Sequence, residues 1–384
     1  MKVALVEPWH EHEEFKYFTY LPSYALPRLA AMCSDCVVLN GSILSETEIL
    51  DAVENGGFDL VGVSAQTPHR HAARKILQLA KQRGATTIVG GYHATSQPHF
   101  FDRHYIDHIV RGEGEYWWRQ IIRGEIVPRP TPFKRGENLN DYPPTDWSVV
   151  VPDIFLTGTY DPQTTPMHVA TSYGCIGHCT YCLARTTHGK LRMRSPEHVR
   201  PELEYLYTRG ARRYYVIDEC FGHDREWAFS MCGLFSEFDG MRWSAFGRVG
   251  TIEPILLDKM VESGCCALIV GFESADQELL NRVGKGDISV GDYPNIIKWC
   301  RERGITLSSQ FMYGLPYETD EHLKLTSDFI EEYDLHKETL DVTWVMPGMP
   351  LYEQCKKAGL IDDTFWDGDA PYYVYDGGLK WSVA

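Results

Sequence analysis

Apolar positions along the chain fall into two series of short runs, each separated by stretches with helical spacing. In the first series Val3-Ala4-Leu5-Val6, Cys36-Val37-Val38-Leu39-Asn40, Asp59-Leu60-Val61-Gly62-Val63-Ser64, Thr87-Ile88-Val89-Gly90-Gly91 and His108-Ile109-Val110-Arg111-Gly112 read as buried strands. Between them Leu26–Met32, a segment opened by Ser45 with Ile49, Leu50 and Val53 on one face, and His71–Arg83 before Gly84 read as helices. Glu48, three residues after Ser45, completes a capping box. Strands alternating with helices imply a doubly wound parallel sheet, whose ligands sit beyond the carboxyl ends of its strands.

Residues 126–165 break the pattern. Pro128, Pro130, Pro132, Tyr142-Pro143-Pro144 and Trp147 read as a linker that resists regular structure. A second alternating series follows, with strands at Met167–Gly174, Arg213–Phe221, Trp243–Val249, Ala267–Ser274, Thr306–Gly314 and Thr339–Met346. Helices start near Ser195, Asp224, Glu253, Ala275, Asp292, Asp320 and Leu351. Such a set is too short for a closed eight-stranded barrel and suits an open, six-stranded partial (β/α) barrel. The expected division is an N-terminal Rossmann-like sheet at 1–125, the linker, the partial barrel at 166–348, and a C-terminal helix and capping tail at 349–384.

Composition adds bounds. At 384 residues, 43% apolar and 23% charged, the chain matches an ordinary globular protein of about two domains. No run of ~18 apolar residues predicts a membrane helix, and Met1–Pro8 reads as a strand and not as a signal peptide. Eleven cysteines without an export signal imply reduced thiols and a cytoplasmic location. A net charge of −16 argues against nucleic-acid and anionic-membrane partners, and mildly favours a neutral or cationic substrate.

The chemistry concentrates at Cys175, Cys179 and Cys182, spaced Cys-x3-Cys-x2-Cys directly after the run Met167-His168-Val169-Ala170-Thr171-Ser172. Four thiolates normally fill a [4Fe–4S] site, so three leave one iron open. An open metal position is where a ligand binds. With eleven cysteines in 384 residues, this spacing arises by chance about 0.01 times. The competing explanations are zinc and plain packing. Zinc wants a fourth Cys or His near by, and His178, inside the loop, cannot easily wrap to the same metal.

With Tyr181 preceding the last cysteine, the loop resembles that of the radical S-adenosylmethionine (SAM) superfamily. The resemblance implies that SAM chelates the open iron through its amino and carboxylate groups. One electron then cleaves it to methionine and a 5′-deoxyadenosyl radical, which abstracts hydrogen. It implies SAM contacts at the strand ends. Glu219, with Asp218 beside it, meets the amino group; Arg248 meets the carboxylate or, alternatively, forms a salt bridge to Asp218 or Glu219. Glu273 takes the ribose, Gln310 and Gly314 lie near the adenine, and Tyr181 completes the set. The run Gly314-Leu315-Pro316 resembles the family's Gly-Leu-Pro-Gly-Glu-Thr, with Tyr317 replacing the second glycine. Cys220 and Tyr173 point toward the expected cavity and are candidates to donate or quench a radical.

Three strand ends of the first series carry small, polar or glycine residues: Ser64-Ala65-Gln66-Thr67, Gly90-Gly91-Tyr92-His93 and Arg111-Gly112-Glu113. Glycine lets backbone approach a ligand, and Ser or Thr supplies hydrogen bonds. These runs resemble the cobalamin-binding domain that precedes many radical SAM domains. The resemblance implies Ser64, Gln66, Thr67, Gly90, Gly91, His93, Gly112 and Glu113 as cobalamin contacts. Glu7-Pro8-Trp9-His10-Glu11-His12 stands where histidine-ligating relatives carry Asp-x-His-x-x-Gly, so no protein imidazole is expected on the lower face. The stretch Pro347-Gly348-Met349-Pro350-Leu351-Tyr352 resembles Pro-Gly-Thr-Pro-Leu-Tyr of cobalamin-type members.

The whole resembles a cobalamin-dependent radical SAM methyltransferase acting on an unactivated carbon of a small, natural-product-like substrate, amino-bearing if the acidity is a guide. It implies a [4Fe–4S] cluster, SAM, cobalamin and an external flavodoxin- or ferredoxin-type reductant. The alternative is a radical SAM dehydratase, epimerase, rearrangement or desaturation enzyme without methyl transfer. A non-catalytic electron-transfer protein is a third reading, opposed by Glu219, Arg248 and Glu273. Cys33-x-x-Cys36 and Cys265-Cys266 read as packing, and His10-x-His12 and His69-x-His71 as surface pairs.

Overall fold

The computed structural model describes residues 1–9, 23–156, 160–161, 163–335, 340–370, 372–375 and 381–382. The His10–His12 pair lies outside them. The chain divides into two compact units. One comprises Met1–Thr165, His198–Gly210 and Asp362–Pro371; the other comprises Pro166–Glu197, Ala211–Ile361 and Tyr372–Ala384.

The first unit is built on β1 (Val3–Glu7), α1 (Ala25–Ala30), β2 (Cys36–Asn40), α2 (Glu46–Asn55), β3 (Leu60–Ser64), α3 (Arg70–Gln82), β4 (Thr86–Gly90), α4 (Tyr92–Ser96), β5 (His108–Ile109), α5 (Gly114–Ile121) and β6 (Val150–Val151). Strand order is β5-β4-β3-β1-β2-β6, with parallel pairing throughout. β1 lies between β3 and β2, and all five of its residues are buried, as a two-faced parallel strand requires. The Ser45–Glu48 capping box forms as expected. The sequence reading did not foresee α4, α5 or β6. α5 follows directly on the Gly112 turn and buries Trp117, Trp118 and Ile121; adjacent tryptophans behind a glycine-rich run hide its helical period. The proline-rich linker supplies β6, which pairs with β2; the β-branched pair Val150-Val151 forms it just ahead of Pro152. Gly112 has φ +86, and a Cβ there would sit 2.0 Å from the Lys134 carbonyl oxygen, so glycine lets the linker cross this strand end.

In the second unit β7 (Met167–Val169) gives way to an antiparallel ribbon, β8 (Ser172–Tyr173) with β9 (Arg192–Met193). The short α6 (Ala184–Thr187) lies inside the ribbon's loop; α7 (Pro196–Thr208) follows it in the chain and from His198 onward belongs to the first unit. Then come β10 (Arg213–Val216), α8 (Arg225–Ser236), β11 (Arg242–Gly247), α9 (Pro254–Glu262), β12 (Cys265–Glu273), α10 (Gln277–Arg282), α11 (Tyr293–Glu302), β13 (Thr306–Tyr313), α12 (Asp320–Glu332) and β14 (Leu340–Val342). The sheet runs β14-β13-β12-β11-β10-β7, parallel at every pairing. It is the six-stranded α/β half-barrel expected from the second series. β15 (Trp344–Val345) leaves it to pair antiparallel with β16 (Tyr373–Tyr375), which pairs with β17 (Trp381–Ser382), after α13 (Pro350–Lys357).

The predicted strands Met167–Gly174 and Arg213–Phe221 are both shorter than expected, for one reason. The buried Asp218 carboxylate accepts from Thr171 N, Thr171 Oγ1 and Ser172 Oγ, each at 2.6 Å. Thr171 N–H is thereby lost to the ladder, and the chain turns. Burial still pushes the Asp218 carboxyl up to about 6.

A second buried acid gives a test. Glu318 Oε2 accepts from Gly314 N at 2.5 Å, Oε1 has no partner among the described residues, and burial pushes the carboxyl from 4.5 up to about 7. The fold therefore prefers the protonated acid. Its contribution is fully present below pH 4.5 and is lost as pH rises through about 7. Relative to wild type, Glu318→Gln is expected to gain up to about 3 kcal/mol between pH 4.5 and pH 8. Urea unfolding of both proteins across that range checks it; a pH-independent difference contradicts it.

Candidate active site

The loop from Tyr173 to Cys182 leaves β8 and carries the three cysteines with their sulfurs already met by donors. Gly177 N donates to Cys175 Sγ at 3.3 Å, and His223 Nε2 lies 3.5 Å from the same sulfur. Ala184 N donates to Cys182 Sγ at 3.4 Å, and Arg248 Nη1 lies 4.0 Å from Cys179 Sγ. Burial pushes the Cys175 thiol up and the Cys182 thiol up to about 11, so metal binding must displace protons. Among the described residues no group of three His, Cys, Asp or Glu is arranged to hold a single metal ion.

Other elements clamp this loop. Thr180 N donates to Val283 O at 2.9 Å, and Leu351 N donates to Thr180 O at 2.8 Å. At Gly284, φ +79, a Cβ would lie 2.5 Å from the His178 carbonyl oxygen. The tail of α10 and the start of α13 thus hold the loop from two sides.

All three cysteines line one cavity of about 300 Å³, with Tyr181, Glu219, Cys220, Arg248, Glu273 and Gln310 around it. Its charged and amide groups are pre-engaged. Glu219 accepts from Gly174 N at 2.9 Å and lies 3.5 Å from His188 Nε2. Arg248 pairs with Asp287 at 2.5 Å, and not with Asp218 or Glu219. Gln310 Nε2 donates to Ser308 Oγ at 2.8 Å. Glu273 sits at φ +64, a strained backbone for a residue with a side chain. The Tyr181 hydroxyl is buried and has no partner among the described residues. Cys220 is 2% exposed, and burial pushes its thiol up to about 12, so it stays protonated.

Three expected residues do not line the cavity. Asp218 is spent on Thr171 and Ser172, Tyr173 stacks on His188 with centroids 4.8 Å apart, and Gly314 turns the chain toward Glu318. Sequence reasoning missed Lys285, which is 4% exposed and lines the cavity. Its Nζ donates to Gly271 O at 2.8 Å and to Glu273 Oε1 at 2.6 Å. Attention to strand ends overlooks it, since it follows a helix. Its only sequence signal is a lysine between two glycines.

In the first unit the ends of β3 and β4 interlock. Ala65 N donates to Gly90 O and His93 N to Ala65 O, both at 2.9 Å. Gly91, φ +90, brings its Cα so close that a Cβ would meet Ala65 N at 2.8 Å. Ser64, Gln66, Thr67, Gly90 and Gly91 are therefore brought together. His93 is not presented to solvent. It is 0% exposed, with Nδ1 3.2 Å from Thr67 Oγ1 and its ring boxed by Phe100, Phe101 and Trp366. Glu113 accepts from Gly136 N at 2.7 Å and so anchors the linker beside Gly112. His71 Nε2 lies 2.8 Å from Gly368 O and His69 Nδ1 3.8 Å from Glu7 Oε1; with His69 5% exposed, the two are not the surface pair expected. Cys36 and Cys265 are buried.

The pattern of the radical SAM superfamily matches residues 169–330, and that of the B12 binding domain matches residues 16–122. The chain is a radical SAM protein with a B12-binding domain. Bacteriochlorophyllide d C-8(2)-methyltransferase of Chlorobaculum tepidum is 24% identical over 330 residues, 82% of this chain and 72% of that protein. An uncharacterized methyltransferase of Pyrococcus horikoshii is 26% identical over 394 aligned positions, covering 95% of this chain and 85% of that one. The solved structure of the radical SAM methyltransferase TsrM from Kitasatospora setae, with tryptophan substrate and a SAM analogue bound, shares the fold. Its TM-score is 0.72 at 19% identity, covering 92% of this chain and 76% of that chain.

Membership brings a [4Fe–4S] cluster, SAM and cobalamin as cofactors, and the residues present fit them. Three thiols share a cavity with an unpartnered buried hydroxyl, and cavities of about this size hold small ligands. At the β3 and β4 ends, a Cβ on Gly90 would find only Val110, at 3.9 Å, which leaves open backbone. His69 and His93 are 5% and 0% exposed, so neither imidazole is offered. No helix among the described residues is long and apolar enough to cross a membrane.

The loop clamp gives a test. Gly284→Ala adds about 2 kcal/mol of overlap to about 1 kcal/mol of backbone strain, and is expected to lower iron uptake on anaerobic reconstitution. Gly250→Ala, at φ +89 with nothing within 4 Å, carries the strain alone and should take up iron normally. Iron and sulfide analysis of both variants checks it.

Proposed function

We propose that the chain is a cobalamin-dependent radical SAM methyltransferase acting on an unactivated carbon of a small molecule. The observation that carries the reading is the single cavity in which Cys175, Cys179 and Cys182 meet Glu219, Arg248, Glu273 and the unpartnered Tyr181 hydroxyl. Methyl transfer as the outcome is supported by relatives that bear that name and span most of the chain.

When bound, the cluster and SAM supply a 5′-deoxyadenosyl radical that removes a hydrogen atom, and cobalamin supplies the methyl group. The chain's own residues bind and orient. Glu219, tethered to Gly174 N, offers a carboxylate to the SAM amino group. Arg248 offers its planar fork to the SAM carboxylate. Glu273, held by Lys285, accepts from ribose hydroxyls. Gln310 borders the adenine space, and Cys220 lines the wall as a neutral thiol. In the first unit Gln66, Gly90 and Gly91 offer side chain and backbone to cobalamin, whereas Ser64 and Thr67, 6% and 0% exposed, are buried like His93. An external one-electron donor of flavodoxin or ferredoxin type supplies the reducing electron.

Anaerobic turnover with labelled SAM and reductant is expected to yield S-adenosylhomocysteine and 5′-deoxyadenosine together. 5′-Deoxyadenosine alone indicates radical chemistry without methyl transfer. Cys179→Ala is expected to abolish 5′-deoxyadenosine formation, and Glu273→Ala to weaken SAM binding roughly 10-fold or more, as the loss of a charge-assisted hydrogen bond predicts. Unimpaired cleavage by Cys179→Ala contradicts the cluster assignment.

A further inference from the structure

His223 lies in the turn between β10 and α8, and nothing in the reaction outlined above uses it. Its Nε2 is 3.5 Å from Cys175 Sγ, within reach of an N–H···S hydrogen bond. It is not among the residues that line the cavity. Its backbone is held in place. The next residue, Asp224, caps α8 by accepting from Trp227 N at 2.9 Å. Phe221 N, two residues earlier, donates to Phe246 O at 2.8 Å.

We propose that His223 tunes the reduction potential of the iron–sulfur cluster by donating its Nε2–H to the Cys175 thiolate. The inference rests on the cluster reading above. A sulfur bound to iron carries no proton and offers only lone pairs, so the imidazole satisfies it through Nε2–H. Nδ1 then holds a lone pair, and it is buried with no partner among the described residues. That arrangement buries an unmet acceptor, where the opposite tautomer would bury an unmet N–H at Nδ1 and turn the Nε2 lone pair against a thiolate. Cys175 thus receives two donors, Gly177 N and His223 Nε2, while Cys182 receives Ala184 N. Hydrogen bonds to cluster sulfurs are among the features that set cluster potentials. They favour the reduced form because it carries more negative charge on sulfur. A side chain serving only to fill space would not need a nitrogen facing the sulfur.

The test uses the full chain, anaerobically reconstituted, with iron and sulfide measured first. The midpoint potential of the cluster is then read by EPR-monitored redox titration in wild type, His223→Phe and His223→Gln. Phe fills the volume without a donor; Gln keeps an N–H within reach. The Phe variant is expected to be about tenfold harder to reduce, a shift of about 59 mV to more negative potential, with Gln near wild type. A Phe variant that holds a full cluster at the wild-type potential overturns the proposal. Pulsed EPR of reduced wild type grown with 15N-histidine gives an independent reading if the Phe variant does not fold. A nitrogen coupling lost in His223→Gln supports the proposal; no coupling, or one that persists in His223→Gln, overturns it. A wild-type chain that takes up no iron and sulfide fails at the earlier step and overturns the cluster reading itself.

Discussion

Three sulfur atoms must face one cavity, and a loop of ten residues with almost no ladder of its own cannot hold them there. The structure meets that constraint from outside the loop. Val283 and Leu351 fix Thr180 by backbone hydrogen bonds. Gly284 lets α10 pass within reach of His178. Arg248 packs so close to Gly177 that a Cβ there would stand 3.1 Å from Nη1. The contacts come from three places: the end of α10, the start of α13 and the residue after β11. The cluster loop is therefore held by groups outside it.

The cavity poses a second problem, because it gathers charge where water is scarce. Isolated buried charges are costly, and pairing offsets that cost. Here every charged group has a protein partner before any ligand arrives: Glu273 with Lys285, Arg248 with Asp287, Glu219 with a backbone amide. The neutral Tyr181 hydroxyl is the exception. A zwitterionic ligand entering such a site exchanges one set of pairings for another and need not strip naked charges. The left-handed backbone at Glu273 belongs to the same arrangement. It turns the carboxylate back toward Lys285, whose Nζ also bonds Gly271 O, two residues before it.

In the first unit a buried arginine plays the anchoring part. Arg70 is 0% exposed and donates to the carbonyls of Thr67, Trp366, Gly368 and Ala370. It ties the turn after β3 to a segment from the far end of the chain. Trp366 from that segment closes over His93. A histidine that reads as a ligand contact thereby becomes part of the core, and the glycine turns beside it are left half-buried.

The alternation of strand and helix, the capping box at Ser45, the two sheets and the cysteine spacing were all legible in the sequence, because each rests on residues near one another in the chain. The strand ends carrying Glu219, Arg248, Glu273 and Gln310 were legible too, since a polar residue closing an apolar strand is a local signal. What each side chain then does depends on partners dozens of residues away. Asp218 and Glu219 are adjacent, yet one is consumed by Thr171 and Ser172 and the other borders the cavity. Lys285 and His223 carry no periodic or motif signal, and only the folded chain brings them to Glu273 and Cys175. Local order follows from propensity and pattern along the chain. The assignment of charges and hydrogen bonds is a competition among groups that become neighbours only after the sheet has formed, and so the tertiary structure alone decides it.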